Sequence, residues 1–323
     1  MAMSWWPLIK ILPVKTNLKF VSFAKYAAVL SAVLVIASLV GVFKPGLNMG
    51  IDFRGGAAME MSKPTGQVLD LGAVRGAVGE LGLGDVQVQG IDDDSSAIVR
   101  FQVPDDVPQV DVVERVQTAI NTAVGDVTYS GVSVVGSKVS GELFRSGLMA
   151  LGAAVVLMFA YIWFRFEPQF GFGAIAGLLH DVILVFGLIV LLRLEFGLNM
   201  VAAILTVIGY SMNDTVVVFD RLRENLRKYK TMPLGEVIDL TINEILTRTI
   251  ITGLTAVMVL AALAYFGGEA LYGFSIALMF GIVVGTYSSI YVGAPIILLW
   301  GVKRGDRNPD DIKPIKLGMA SRP

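Results

Sequence analysis

The chain has 323 residues, of which 54% are hydrophobic and 16% are charged, and its mean hydropathy is +0.69. These values exclude a water-soluble globular protein, in which about 25% of the residues are charged. Lys and Arg number 26 and Asp and Glu number 27, so no overall positive charge is present to attract nucleic acid. With no cysteine and a single histidine, the sequence predicts no disulfide, no metal site and no cofactor.

Residues 1–25 form an amino-terminal tail ahead of the first apolar run, and we expect this tail in the cytoplasm. The tail carries several lysines and the pair Trp5 and Trp6, which favour a membrane interface, although a soluble helix fits the segment equally well. No small-residue cleavage pattern follows the apolar run, so we interpret it as a retained anchor and not as a secretory signal. The first predicted span is 26–43, because about 20 apolar residues cover a hydrocarbon core of about 30 Å.

Residues 45–144 form a long polar insert that contains more acidic than basic residues. Alternating polar and apolar residues predict strands, and helical periodicity predicts two helices. The predicted strands are 50–62, 85–91, 97–103 and 127–138, and the predicted helices are 67–81 and 109–124. The resulting order βαββαβ is that of a ferredoxin-like fold, in which two helices cover one face of an antiparallel sheet.

The insert begins with the segment GIDFRGG, which we interpret as a strand that opens with a glycine-rich bend. Its motif residues are Gly50, Ile51, Asp52, Phe53, Gly55 and Gly56. The glycine pair is not a phosphate-binding loop, because no GKS or GKT follows it, and a bulge or a close backbone approach explains it better. Further along, Asp92, Asp93 and Asp94 lack the spacing of a calcium loop and predict a solvated hairpin tip.

Five more apolar spans follow the insert, with a kink or an end at Pro295 in the last of them. They are 146–164, 170–192, 198–219, 249–266 and 272–300. A loop at 220–248 and a tail at 301–323 are rich in Lys and Arg, as is the amino-terminal tail, so we expect both termini in the cytoplasm. The predicted fold class is therefore an α-helical membrane protein with six transmembrane helices and one extracytoplasmic α+β ferredoxin-like domain between helices one and two.

Asp214 is the most informative charge inside a predicted span. A carboxylate in such a position costs about 2.5 to 3.5 kcal/mol on insertion scales, so it needs a partner, a proton or a function. Thr206, Tyr210 and Asn213 share a helical stripe with Asp214, and this stripe must face other helices or water. Arg248 is the candidate partner, whose approach and withdrawal would let Asp214 titrate; a fixed ion pair and an unrelated snorkelling arginine are the alternatives.

Two strips of small residues predict close helix packing. Gly173 and Gly177 recur at steps of four and lead to a second intramembrane carboxyl group, Asp181, whose neighbour is His180. We expect His180 to form a hydrogen bond between helices, with a proton relay as the alternative. Gly281 and Gly285 form a similar strip in the last span.

Three blocks of the sequence resemble one known family over nearly the whole chain. They are GIDFRGG at 50–56, LLHDVILVFG at 178–187, and NMVAAILTVIGYSMNDTVVVFDRLREN at 199–225 with the segments LTRTIITGLTA and FGGEALYGFSIALMFGIVVGTYSSIYVGAPIILL that follow. The chain is similar in these blocks to the SecF family, whose members join SecD in bacterial protein export and belong to the resistance-nodulation-division superfamily.

The resemblance implies a twelve-span pair of six-span halves in which proton flux drives domain movement. It implies that Asp214 and Arg248 match the proton-conducting pair of the family, with Asn213 and Asp181 in supporting positions. Two positions depart from the family pattern: Met212 replaces a branched aliphatic residue, and Glu244 replaces a glutamine. Because Glu244 lies one turn before Arg248, it could compete with Asp214 for the guanidinium.

The implied function is a subunit of the bacterial inner membrane that couples proton flow to protein export and makes or breaks no bond in its substrate, so we expect no enzyme activity. The implied partners are SecD, the SecYEG channel, an exported unfolded polypeptide, protons and the lipid bilayer, with YajC and YidC as further candidates. One alternative is a proton-driven small-molecule exporter half of the same superfamily, although such pumps carry two large inserts in one chain. A scaffold without transport activity is the other alternative.

Overall fold

The computed structural model describes residues 16–64, 67–84, 86–91, 95–104 and 107–301. Trp5 and Trp6, the aspartates at 92–94 and the carboxyl-terminal tail from residue 302 lie outside the described residues. The elements follow one another as α1 (Phe20–Phe43), β1 (Asn48–Met49), α2 (Ile51–Arg54), β2 (Gly56–Ser62), α3 (Leu71–Gly79), β3 (Gln87–Ile91), β4 (Ser96–Phe101), α4 (Gln109–Val124), β5 (Thr128–Val135), α5 (Ser137–Arg165), α6 (Pro168–Leu191), β6 (Glu195–Phe196), α7 (Leu198–Lys228), α8 (Leu234–Phe266), α9 (Glu269–Ser288), a π-helical turn (Ser289–Gly293) and α10 (Ala294–Trp300).

Six helical segments in the described part of the chain are long and apolar enough to cross a membrane. They are α1, α5, α6, α7, α8 and a sixth span, which consists of α9, the π-helical turn and α10. Apolar side chains of α6, α7 and the sixth span are buried between the helices, whereas α1, α5 and α8 expose most of theirs. The prediction of an α-helical membrane protein with six spans is thus confirmed.

The segment 220–248, predicted as a loop, is mostly helical. Helix α7 continues to Lys228 and α8 already begins at Leu234, so only a short turn joins them. The predicted span ended at Phe219 because charged residues become frequent from Asp220 onward, but a helix continues wherever one face stays apolar. Here Leu222 of α7 packs with Ile238 and Ile242 of α8 in a shared core, which stabilises both extensions.

The insert folds as a four-stranded antiparallel sheet with the strand order β3-β4-β2-β5, which is the ferredoxin-like topology that the sequence predicted. Ala57, Met59 and Met61 alternate along β2 and point toward the helices of the domain. They are completely buried with side chains of α3 and α4. The intervening residues of β2 occupy the opposite face of the sheet, which lies toward the membrane spans.

The predicted strand at 50–62 is wrong in its first part. Residues Ile51–Arg54 form a single helical turn, and the strand begins only at Gly56. Gly56 has a φ of +114°, and a Cβ there would collide with the carbonyl oxygen of Phe101 on the neighbouring strand. Alternation of apolar residues could not reveal the helical turn, whereas the close backbone approach predicted for the glycine pair is confirmed at Gly56.

Candidate functional site

Asp214 lies within the bundle on α7, between α8 and the sixth span. Thr249 Oγ1 donates a hydrogen bond to Asp214 Oδ1 at 3.2 Å, and Ser289 Oγ donates one to Asp214 Oδ2 at 3.0 Å. Each oxygen of the carboxyl group therefore accepts a hydroxyl hydrogen bond from a different helix. This arrangement supports the group in a low-dielectric environment without requiring a cation as its direct partner.

Arg248 shares a small cavity with Asp214 between α7 and α8. The cavity is lined by Tyr210, Asn213, Asp214, Val217, Arg248, Thr249 and Thr252. Within the described residues, no salt bridge shorter than 4 Å joins the two charged groups, and Arg248 is exposed at the edge of the bundle. The structure therefore places the predicted pair side by side but does not contain the fixed ion pair that was one of the alternatives.

Glu244 does not compete for Arg248 in this structure. Its Oε2 accepts hydrogen bonds from Arg221 Nε at 2.8 Å and from Asn225 Nδ2 at 2.7 Å, both on α7. Glu244 therefore joins the extensions of α7 and α8 to each other. The guanidinium of Arg248 is left facing the cavity that it shares with Asp214.

The predicted stripe on α7 is only partly assembled. Tyr210 and Asn213 line the cavity with Asp214, whereas Thr206 does not. Thr206 is exposed, and its hydroxyl donates to the Ala202 carbonyl oxygen at 2.8 Å, one turn earlier on the same helix. Helical spacing predicted that Thr206 shares a face with Asp214, but in the structure this residue lies outside the cavity.

Asp181 is the most deeply buried acid of the described spans, with no exposed surface. Ser211 Oγ and Ser288 Oγ donate to its Oδ2 at 2.5 and 2.7 Å, and His180 Nδ1 lies 2.9 Å from its Oδ1. On the other side of the ring, His180 Nε2 lies 3.2 Å from Ser31 Oγ of α1. This network links four spans through hydrogen bonds in the centre of the bundle.

The serines around the two acids were missed by the sequence analysis. Ser211, Ser288 and Ser289 lie in apolar runs, where serine hydroxyls commonly bond to the backbone of their own helix and carry no functional signal. Ser288 and Ser289 are adjacent at the start of the π-helical turn, yet one donates to Asp181 and the other to Asp214. A π-helical turn is often found at functional sites, but its position is not readable from composition.

Both glycine strips lie where helices contact each other. A Cβ at Gly173 would lie 2.8 Å from the Gly293 carbonyl oxygen, and one at Gly177 would lie 3.7 Å from Ser288 Oγ. A Cβ at Gly281 would collide with Val207 of α7, and one at Gly285 would lie 3.1 Å from the Cβ of Ser211. The missing side chains let the sixth span approach both acid-bearing helices closely.

The glycine motif joins the α+β domain to the beginning of α7. Asp52 Oδ2 accepts a hydrogen bond from the Leu198 backbone nitrogen at 2.9 Å, which satisfies an unpaired donor in the first turn of that helix. Phe53 packs against the rings of Phe144 and Phe196. In addition, β1 pairs in parallel with β6, which lies just before α7. The helix that carries Asp214 is thus attached at its other end to the domain.

A second attachment is the ion pair between Arg100 of β4 and Glu195 of β6. The Arg100 side chain is 10% exposed and the Glu195 side chain is 36% exposed. Arg100 also donates to Gln89 Oε1 at 3.3 Å, whereas its Nε is buried without a partner among the described residues. The pair connects the sheet face that lies toward the membrane with the connection between α6 and α7.

We expect Glu195→Gln to destabilise the folded chain by about 1 to 2 kcal/mol, because it leaves a buried guanidinium without its counter-ion while Glu195 itself is partly solvated. Thermal unfolding in detergent measures this loss. Asp220→Asn is the matched control, because Asp220 pairs with Arg165 in an exposed ion pair on α7 and should lose less than about 1 kcal/mol. Equal losses in both variants would contradict a structural role for the Arg100 pair.

Comparison with known proteins gives a consistent result for both parts of the molecule. The family model of the carboxyl-terminal region of the protein export membrane proteins SecD and SecF matches residues 115–303, and the model of the SecD/SecF GG motif matches residues 40–62. The protein translocase subunit SecF of Cereibacter sphaeroides is 44% identical over 310 residues, which cover 94% of this chain and 95% of that protein. That of Rhodobacter capsulatus is 41% identical over 316 residues, with 94% of each chain covered.

Two solved structures of SecDF share the fold. The crystal structure of SecDF from Thermus thermophilus, a translocon-associated membrane protein, aligns with a TM-score of 0.80 and 31% identity over 90% of this chain. A structure of SecDF in a super-membrane-facing form aligns with a TM-score of 0.64 over the same share. The alignments span 39% of the SecDF chains, so this chain corresponds to part of their length.

Six spans, a ferredoxin-like insert and the matched GG motif define a membrane protein of the SecD/SecF class. Within this class, the chain belongs to the SecF family of protein translocase subunits.

Proposed function

We propose that this chain, together with SecD, uses the proton motive force across the bacterial inner membrane to promote export of unfolded polypeptides through SecYEG. The observation that carries the proposal is the position of Asp214, which lies inside the bundle, is held by hydroxyl groups of α8 and the sixth span, and shares a cavity with Arg248. The two hydroxyl donors and the guanidinium all favour the ionised acid, whereas the apolar surroundings favour the protonated acid, which would lose one of the two donors because its own O–H is a donor. Proton exchange at Asp214 would therefore change its hydrogen bonds with α8 and the sixth span.

The energy available from one proton is sufficient for such a device. One charge that crosses a potential of 100 mV releases about 2.3 kcal/mol, which biases a two-state equilibrium by about fiftyfold. Movement of α8 or of the sixth span would reach the α+β domain through α7, whose first turn is capped by Asp52 and whose preceding strand is paired with β1. No covalent step takes part in this mechanism.

The proposed topology places both termini in the cytoplasm and the α+β domain in the periplasm. The end of the bundle opposite the domain supports this orientation, because it carries a concentration of basic residues, as cytoplasmic ends of spans do. These residues are Arg165, Arg221, Arg223, Arg227 and Lys228. The domain would then meet an exported polypeptide as it leaves the channel.

A SecD partner is supported by the polar surface that α7 and α8 expose. Thr206, Asn213 and Arg248 are exposed on helices of membrane-spanning length, where contact with hydrocarbon is unfavourable. A second six-span half that covers this surface would remove the polar groups from lipid and enclose the cavity at Asp214. SecYEG, YajC and YidC would contact the pair elsewhere.

Everted membrane vesicles test the proposal. Vesicles with and without this chain are supplied with a reporter preprotein, and the protease-protected product is measured before and after an ionophore dissipates the proton gradient. We expect the chain to increase export only while the gradient exists. If the increase due to the chain is the same after addition of the ionophore, proton coupling is excluded.

A further inference from the structure

A charged cavity lies at the end of the bundle opposite the α+β domain, where α5 ends beside the extension of α7. It is lined by Arg165, Asp220, Arg223, Glu224, Arg227 and Lys228. The cavity is separate from Asp214 and from the attachments of the domain, and the proposed function makes no use of it. We propose that it binds the phosphate group of an anionic phospholipid.

Both carboxylates in the cavity already have partners. Arg165 donates two hydrogen bonds of 2.8 Å to the two oxygens of Asp220, and Arg221 Nη1 donates one of 2.6 Å to Glu224 Oε2. Each acid is thus matched by one arginine, and the acids do not neutralise the other cations of the cavity.

Three cations in the cavity therefore form no direct ion pair with a carboxylate. Within the described ranges, Arg223, Arg227 and Lys228 form no salt bridge of 4 Å or less, and Lys228 interacts with Glu244 only at longer range. Arg223 and Arg227 are one helical turn apart on α7, so they face the same side of the helix. Convergence of unpaired cations costs free energy unless an anion occupies the space between them, and a phosphate oxygen is an anion that arginine binds well.

Two of the guanidinium groups lie over the same aromatic ring, that of Phe166. Arg165 lies 5.0 Å and Arg223 lies 6.0 Å from the centre of the Phe166 ring. Phe166 itself is buried in the core of the bundle, so its ring is a fixed support. Positioned guanidinium groups lose less conformational entropy when they bind an anion than free side chains do.

The surroundings of the cavity favour a lipid over a soluble phosphate. Trp163 and Phe164 directly precede Arg165 on α5 and are 61% and 89% exposed, on a helix of membrane-spanning length. Exposed aromatic rings next to basic residues mark the boundary between hydrocarbon and headgroups. A phospholipid could place its phosphate among the cations of the cavity and its acyl chains along the exposed aromatic rings. Basic pockets between spans are known to bind anionic headgroups.

Native mass spectrometry of the full chain tests the proposal. The protein is held in detergent micelles that contain equal amounts of phosphatidylglycerol and phosphatidylcholine, and the retained lipids are counted. We expect selective retention of phosphatidylglycerol, weakened about fivefold by Arg227→Gln, which corresponds to about 1 kcal/mol per cation, and abolished when Arg223, Arg227 and Lys228 are all replaced by Gln. Arg227→Lys should keep most of the selectivity, which separates loss of charge from loss of structure.

Lys25→Gln is the matched control, because Lys25 is exposed on α1 near the same end of the bundle and does not line the cavity. It should leave the lipid selectivity unchanged. Equal retention of the two lipids by the unaltered chain, or an equal loss in Lys25→Gln and Arg227→Gln, would overturn the proposal. Displacement of phosphatidylglycerol by excess inorganic phosphate alone would assign the cavity to free phosphate and would also overturn it.

Discussion

Asp214→Asn should abolish the part of export that depends on the proton gradient while the chain still folds. Asparagine has nearly the same size as aspartate, and its amide oxygen can still accept a hydrogen bond from Thr249 or Ser289. The amide cannot exchange a proton near neutral pH. The bias of about fiftyfold that one charge gains from a potential of 100 mV is then lost, and export by vesicles with the variant should equal export by vesicles without the chain.

The matched control for this experiment is Asp220→Asn. Asp220 lies further along the same helix in an exposed ion pair with Arg165, so the substitution is chemically identical but lies outside the bundle core. This variant should retain gradient-dependent export. Wild-type export by Asp214→Asn under a full gradient would refute proton coupling at this residue and would favour the scaffold alternative.

Asp181→Ala should destabilise the bundle more than any surface substitution, by about 3 kcal/mol. The change removes the acceptor of Ser211 and Ser288 and the partner of His180, and hydrogen bonds between membrane helices contribute about 0.6 to 1.7 kcal/mol each. It also leaves a small cavity in a site without exposed surface. The loss is measured as the shift of thermal unfolding in detergent, and Asp181→Asn, which keeps an acceptor oxygen, should lose about half as much.

Ser275→Ala is the control for the effect of altering a buried polar side chain. Ser275 has no exposed surface, and its hydroxyl has no hydrogen-bond partner in the described part of the chain. Removing this hydroxyl should change stability by less than about 0.5 kcal/mol or should increase it. Similar unfolding temperatures for Asp181→Ala and Ser275→Ala would contradict the role of Asp181 as the centre of a network that links four spans.

The architecture was largely predictable because its signals are local. A span of apolar residues must become a helix in lipid, since every backbone donor and acceptor has to be paired within the segment. The alternation in the insert similarly predicted the strands and their order. The predictions that failed concern elements whose structure depends on tertiary packing. The helical extensions around Leu222 and Ile238 depend on the core that they share. The helical turn at Ile51–Arg54 depends on contacts with α7 and β6.

The two acids of the candidate site could be predicted from the sequence, but the side chains that donate hydrogen bonds to them could not. Asp214 and Asp181 attract attention because an acid in a membrane span is costly, whatever surrounds it. Their hydroxyl donors come from α7, α8 and the sixth span, and their hydroxyl groups resemble those of any serine or threonine in a helix. Helical spacing also predicts which face of a helix a residue occupies, but it does not predict how far a neighbouring helix contacts that face. For this reason Thr206 was predicted to belong to the same site as Tyr210, Asn213 and Asp214.

The adjacent donors Ser288 and Ser289 have a consequence for the order of events in the membrane. Because Ser288 and Ser289 are consecutive residues of one helix, a displacement of the sixth span that moves one hydroxyl relative to its acid also moves the other. The hydrogen bonds that Asp181 and Asp214 accept from the sixth span would then change in a single concerted event and not in succession. Asp181, which has no exposed surface, would in this way respond whenever Asp214 gains or loses a proton.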